Sequence, residues 1–101
     1  MRIVRYDGPD LTRLAFHGEL DLATADRVQE QVAAALAAGP PRRLVLDVSA
    51  LTFCDSSGID ALLNARACAR ARGVACQVVG AHGIVRRSMA ATGVLALLTA
   101  G

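Results

Sequence analysis

The sequence predicts an α/β fold: one domain built as a mixed sheet of four to five strands with helices packed against it. Three observations lead there. Strand-like apolar segments alternate with segments of helical period, in the order β-β-α-β-α-β-α-β. The run "RLVLDVS" is apolar almost throughout, which suits a strand covered by helices on both faces. The length of 101 residues fits a single domain, residues 1–101.

Each element has its own signal. "RIVRY" reads as a first strand and "LTRLAFHGEL" as a second. Between them "DGPD" is a turn, so residues 2–18 form a hairpin. In "ATADRVQEQVAAALAAG" the residues Ala25, Val28, Val32, Ala35 and Leu36 fall on one helical face. Gly39 and Pro40 stop that helix. "RLVLDVS" is the third strand. "GIDALLNARACARARG" is a second helix, with Ile59, Leu62 and Leu63 inward, Arg66 and Arg70 outward, and Gly73 at its end. "VACQVVG" is a fourth strand, "HGIVRRSMAATG" a short third helix closed by Gly93, and "VLALL" a short last strand. Strand–helix–strand units favour parallel pairing with right-handed crossovers, and the hairpin adds an antiparallel element.

Composition excludes several classes. The net charge is +2, every basic residue is arginine, and the arginines are interleaved with acids such as Asp21, Asp26, Glu30 and Asp47. Nucleic-acid binders concentrate basic charge on one face, often with stacking aromatics. Only Tyr6, Phe16 and Phe53 are aromatic, so no direct nucleic-acid partner is expected. Cys54, Cys68 and Cys76 have neither C-x-x-C nor zinc spacing. All three are expected to be reduced, with Cys54 and Cys76 as small core hydrophobes. No metal or other cofactor is implied. No apolar run reaches membrane-span length and the N-terminus has no signal-peptide core, so a soluble, cytoplasmic protein without membrane insertion is expected.

The chemistry concentrates in "FCDSSGID", residues 53–60, where a strand gives way to a helix. Ser56 and Ser57 admit three readings. They can cap the helix, and Ser57 with Asp60 matches a loose capping box. They can be nucleophiles, with His17, His82 and an aspartate as partners. "DSSG" is not a G-x-S-x-G elbow, however, and no oxyanion-hole glycine cluster accompanies it. They can accept phosphate, since a helix N-terminus offers free N–H groups and a positive dipole end. Asp21 is a candidate N-cap of the first helix.

"LVLDVSALTFCDSSGIDALL" resembles the signature of the STAS domain of bacterial anti-sigma factor antagonists. "FHGELDLATA" is similar to that family's G-E-L-D segment, and "VRRSMAATGVLALL" to its late R-x-x-x-x-x-G-L segment. The three blocks run from about residue 12 to 98 in the family's order and spacing. The resemblance implies a binding module and kinase substrate, not an enzyme. The unphosphorylated form would bind an anti-sigma factor serine kinase and free the sigma factor. Phosphorylation of Ser56 would break that complex, and a phosphatase would reset it. Ser57 would then be the neighbouring hydroxyl and helix cap, and Asp55 would shape the acceptor turn. Asp21 would lie near Ser56 in the kinase contact, and Gly58 would let the partner approach or ease the turn.

The sequence departs from the family pattern in three places. Asp60 stands where a small residue is usual, and bears on partner recognition. Cys54 replaces a larger apolar residue. The chain ends soon after "VLALL", where family members commonly continue into a C-terminal helix, so one helical face is expected to be exposed or covered by a partner. Two other classes remain open: a STAS interaction module of a transporter or signalling complex that phosphate does not regulate, and a nucleotide sensor. Against the sensor, no G-x-x-x-x-G-K loop is present.

Overall fold

A computed structural model describes residues 1–37 and 39–100. Eight elements follow in the order β1 (Arg2–Asp7), β2 (Leu11–Leu20), α1 (Ala25–Ala37), β3 (Arg43–Cys54), α2 (Ser56–Ala71), β4 (Ala75–Val79), α3 (Gly83–Ala91) and α4 (Leu95–Thr99). The four strands form one sheet in sequence order. β1 and β2 pair antiparallel, and the hairpin closes through a Gly8 N–H to Leu11 carbonyl bond of 2.8 Å. The β2–β3 and β3–β4 pairs are parallel.

Alternation decides which way each strand faces. On β2, Thr12, Leu14 and Phe16 are buried, while Arg13 is exposed. The buried row continues through Leu44 and Leu46 on β3 and Cys76 and Val78 on β4. α1 contributes Val28, Val32 and Leu36 to the same core, and α2 contributes Ile59, Leu62 and Ala65. The expected inward face of α1 is thus borne out. The opposite face of the β1–β2 hairpin keeps Val4 and Tyr6 largely exposed. On that face the Arg13 guanidinium pairs with the buried carboxylate of Asp47, which also accepts from the Ser49 N–H at 2.9 Å. Burial pushes the Asp47 pKa up, but these hydrogen bonds outweigh it, and the net position is below the usual value.

Three expectations are corrected. "VLALL" is not a fifth strand: Leu95–Thr99 is helical. Val94, Leu95 and Leu98 turn inward while Leu97 is exposed, which is a three-to-four spacing rather than an alternation. The Thr99 carbonyl accepts from Gln77 Nε2 at 3.0 Å, tying the end of this helix to β4. The second correction is at α2, which begins at Ser56 and so takes both serines into its first turn. The third is Arg66. Arg70 is exposed as expected, but Arg66 is half-buried, and its Nε is sealed from solvent with no hydrogen-bond partner among the described residues.

Candidate functional site

β2 and β3 run parallel, so their C-terminal ends finish side by side. Leu20 pairs with Cys54 in the strand register, and the Asp55 N–H donates to the Leu20 carbonyl at 3.2 Å. This pairing brings "GELD" beside "CDSSG" although they lie more than thirty residues apart in the chain. Ligand and partner sites of α/β sheets commonly form at such strand ends.

The helix cap is Asp55. Its Oδ1 accepts from the Gly58 N–H at 2.9 Å, and its carbonyl accepts from Ile59 N–H at 2.9 Å. The cap role expected of Ser57, with Asp60 completing a capping box, is therefore overturned. The helix begins two residues earlier than expected, and the acid immediately before it takes the free N–H. Ser57 is half-buried and lines a groove of about 210 Å³ between α1 and α2, together with Leu22, Asp26, Asp60 and Asn64.

Ser56 is left as the outward residue of the turn. It is exposed, and its hydroxyl makes no hydrogen bond among the described residues. Gly58 fits the second of its two implied roles, easing the turn. It is buried, and a Cβ built on it would lie 2.8 Å from Cys54 Sγ, Leu20 Cγ and the Leu20 carbonyl oxygen. It lets α2 close onto the strand ends.

Asp21 forms a reciprocal turn with Thr24. The Asp21 N–H donates to Thr24 Oγ1 at 3.0 Å, and the Thr24 N–H donates to Asp21 Oδ1 at 3.2 Å. The Ala25 N–H closes on the Asp21 carbonyl at 2.8 Å. Asp21 thus caps the turn that leads into α1, which agrees with the capping reading and fixes the loop beside the first turn of α2. Leu22 stands out from that loop at 77% exposure, the most exposed large apolar side chain described. Sequence reasoning missed it because "ELDLAT" reads as a strand end running into a helix. The signal was there, since an apolar residue between two capping residues has no core to enter.

The arrangement offers an accessible hydroxyl in a fixed, acidic setting. Glu19, Asp21, Asp26, Asp55 and Asp60 all lie on these strand ends and helix starts, and they are five of the nine acids of the chain. Among the described residues, no histidine or carboxylate is hydrogen-bonded to the Ser56 hydroxyl. His82 Nε2 is engaged with the Ser49 carbonyl at 2.7 Å, and His17 stands opposite Ala50 in the register. A nucleophilic Ser–His arrangement is not formed by these residues.

Comparison with known proteins gives the family. The STAS domain model matches residues 2–100. The chain belongs to the STAS domain family. No curated protein sequence matches it. Among solved structures, this STAS domain resembles the anti-sigma factor antagonist SpoIIAA in its unphosphorylated form. The TM-score is 0.82 at 18% identity, over 97% of this chain and 85% of that one. An anti-sigma factor antagonist from Mycobacterium paratuberculosis matches at 25% identity and TM-score 0.78, over 98% of this chain and 82% of that one. A sulfate transporter family protein from Wolinella succinogenes matches at 17% identity and TM-score 0.75, over 87% and 70% of the two chains. The fold is thus shared by antagonists and by a transporter family protein. Among the described residues, no helix of this STAS domain is long and apolar enough to cross a membrane.

Proposed function

We propose that this STAS domain is an anti-sigma factor antagonist switched by phosphorylation of Ser56. The unphosphorylated form binds a cognate anti-sigma factor serine kinase and releases the sigma factor. Transfer of phosphate to Ser56 ends that binding, and a phosphatase restores it. The observation that carries the reading is the exposed Ser56 hydroxyl in the first turn of α2, with Asp55 already committed to the cap.

The electrostatics agree. A phosphate there meets the positive end of the helix dipole, so the domain tolerates it. Nearly two added negative charges fall among Asp21, Asp55 and Asp60 at the surface a partner would touch. The domain contributes no catalytic group in this reading; the chemistry belongs to the kinase. Asp21, Asp55, Ser57 and Asp60 form the rim of the contact, with Leu22 as an apolar anchor.

The test is incubation with the kinase and ATP. The expected result is one phosphate at Ser56 by mass spectrometry, and kinase binding weakened at least about tenfold in Ser56→Asp, a loss of roughly 1.4 kcal/mol. No phosphate at Ser56 together with unaltered binding of Ser56→Asp sinks the proposal. A second reading draws on the transporter family neighbour: a STAS module held in a larger complex without a phosphate switch. It predicts stable association with a transporter component that Ser56→Asp leaves intact.

A further inference from the structure

Strand β1 has one sheet neighbour. It pairs with β2 and stands at the end of the order β1-β2-β3-β4. The outer edge of this six-residue strand therefore presents N–H and C=O groups with no ladder partner among the described residues. Of the usual devices that blunt such an edge, β1 carries charge, at Arg2, Arg5 and Asp7, but neither proline nor bulge. β2 is its only substantial packing neighbour among the described elements.

The side chains add a second observation. Val4 faces the same side as Ala15, and Tyr6 the same side as Arg13, away from the core row. Val4 is 46% exposed and Tyr6 61%. Two large apolar side chains thus sit on an open strand edge, on the same face as Arg2, with Arg5 and Asp7 on the other face.

The geometry points to a second copy of this chain as the occupant, with β1 pairing antiparallel to β1 of the partner about a two-fold axis through Val4. A two-fold axis normal to the sheet allows few registers, because opposed residues must share a face. Centring the axis on Arg5 sets two guanidinium groups directly against each other, which is repulsive. Centring it on Ile3 shortens the ladder and sets Arg2 against Val4. Centring it on Val4 sets Val4 against Val4 and places Arg2 opposite Tyr6 of the other copy, twice. A guanidinium over a tyrosine ring is attractive, and no like charges are directly opposed. Centring it on Tyr6 sets Arg5 against Asp7 but pairs only the three residues Arg5–Asp7 of the strand, whereas the Val4 register pairs five, Arg2–Tyr6. The Val4 register is therefore the longest ladder without opposed like charges, and the product is one continuous eight-stranded sheet, twice the four strands of each copy. This pairing does not depend on the function proposed above.

The test uses the full chain carrying Cys68→Ala, which removes the exposed thiol. In that background Val4→Cys is expected to form a disulfide dimer promptly under mild oxidation. Tyr6→Cys is expected to stay monomeric, because its two copies stand four residues out of register, about 13 Å apart along the strand. Sedimentation of the unmodified chain is expected to show a concentration-dependent shift to twice the monomer mass. Val4→Lys, at an exposed position that leaves the core intact, is expected to weaken that association at least tenfold with an unchanged circular dichroism spectrum. A chain that stays monomeric at every concentration overturns the inference. So does cross-linking of Tyr6→Cys as fast as Val4→Cys.

Discussion

At the scale of single residues, the buried thiols and one glycine carry the sharpest consequences. Burial pushes both Cys54 and Cys76 up to about 11. The Asp55 carboxylate adds to the rise at Cys54, while Arg66 opposes it at Cys76. A group whose pKa is raised by folding holds its proton more tightly in the folded state, so stability falls as pH rises from the ordinary thiol value toward the folded one. Each shift corresponds to roughly 2–3 kcal/mol once fully developed. The domain is therefore expected to lose stability steeply between about pH 9 and pH 11. Chemical denaturation across that range checks it, with Cys54→Ser/Cys76→Ala flattening the slope. At neutral pH a thiol reagent should label Cys68 alone in the native protein. Gly58 is a steric argument. Alanine in a helix gains up to about 1 kcal/mol over glycine, but here its methyl would stand 2.8 Å from the Leu20 carbonyl oxygen, which is backbone and cannot swing aside. Gly58→Ala should lose roughly 1–3 kcal/mol by denaturant titration, since overpacking outweighs propensity.

At the scale of elements, the cap of α2 shows both the reach and the limit of the sequence. The face of α1 and the span of β2 were legible, because alternation and helical period are strong over ten or more residues, while the nearness of "GELD" to "CDSSG" came only from the family resemblance. Which polar residue caps α2 was not legible. "CDSSG" offers three consecutive capping residues, and the choice depends on where β3 stops. β3 continues to Cys54 through its ladder with β2, five residues past the apolar run that revealed it, so Asp55 falls at the boundary. "VLALL" failed for the opposite reason. Five apolar residues have no readable period, and only the tertiary surroundings of Leu98 and Thr99 decide for a helix. The cap yields a prediction at this scale. Asp55→Ala removes the bond to the Gly58 N–H and should cost about 0.5–2 kcal/mol, while Asp55→Asn, which keeps an acceptor, should cost less. Thermal melting of both variants checks this, because about 1 kcal/mol moves the midpoint of a domain this size by roughly 4–8 °C.

At the scale of the whole molecule, the proposed switch and its proposed kinase partner raise the question whether a charge at Ser56 would act by changing the fold or by changing the surface. The position argues for the surface. Ser56 is exposed, α2 is anchored beneath it by Ile59 and Leu62, and Gly58 is pressed against Leu20 and Cys54. A negative charge in the first helical turn is favourable by about 0.3–1 kcal/mol, less whatever the neighbouring acids repel. Ser56→Asp should therefore leave the melting temperature within a few degrees of the unmodified chain, with the far-ultraviolet circular dichroism unchanged, while its kinase affinity falls at least about tenfold. Asp60→Ala provides the complementary reading, because it removes one charge from the same rim without touching the cap. If the rim acts through charge, Asp60→Ala should lessen the effect of added salt on kinase binding, with melting again nearly constant. A Ser56→Asp variant that melts far below the parent chain would place the switch in refolding, and the surface mechanism would fail.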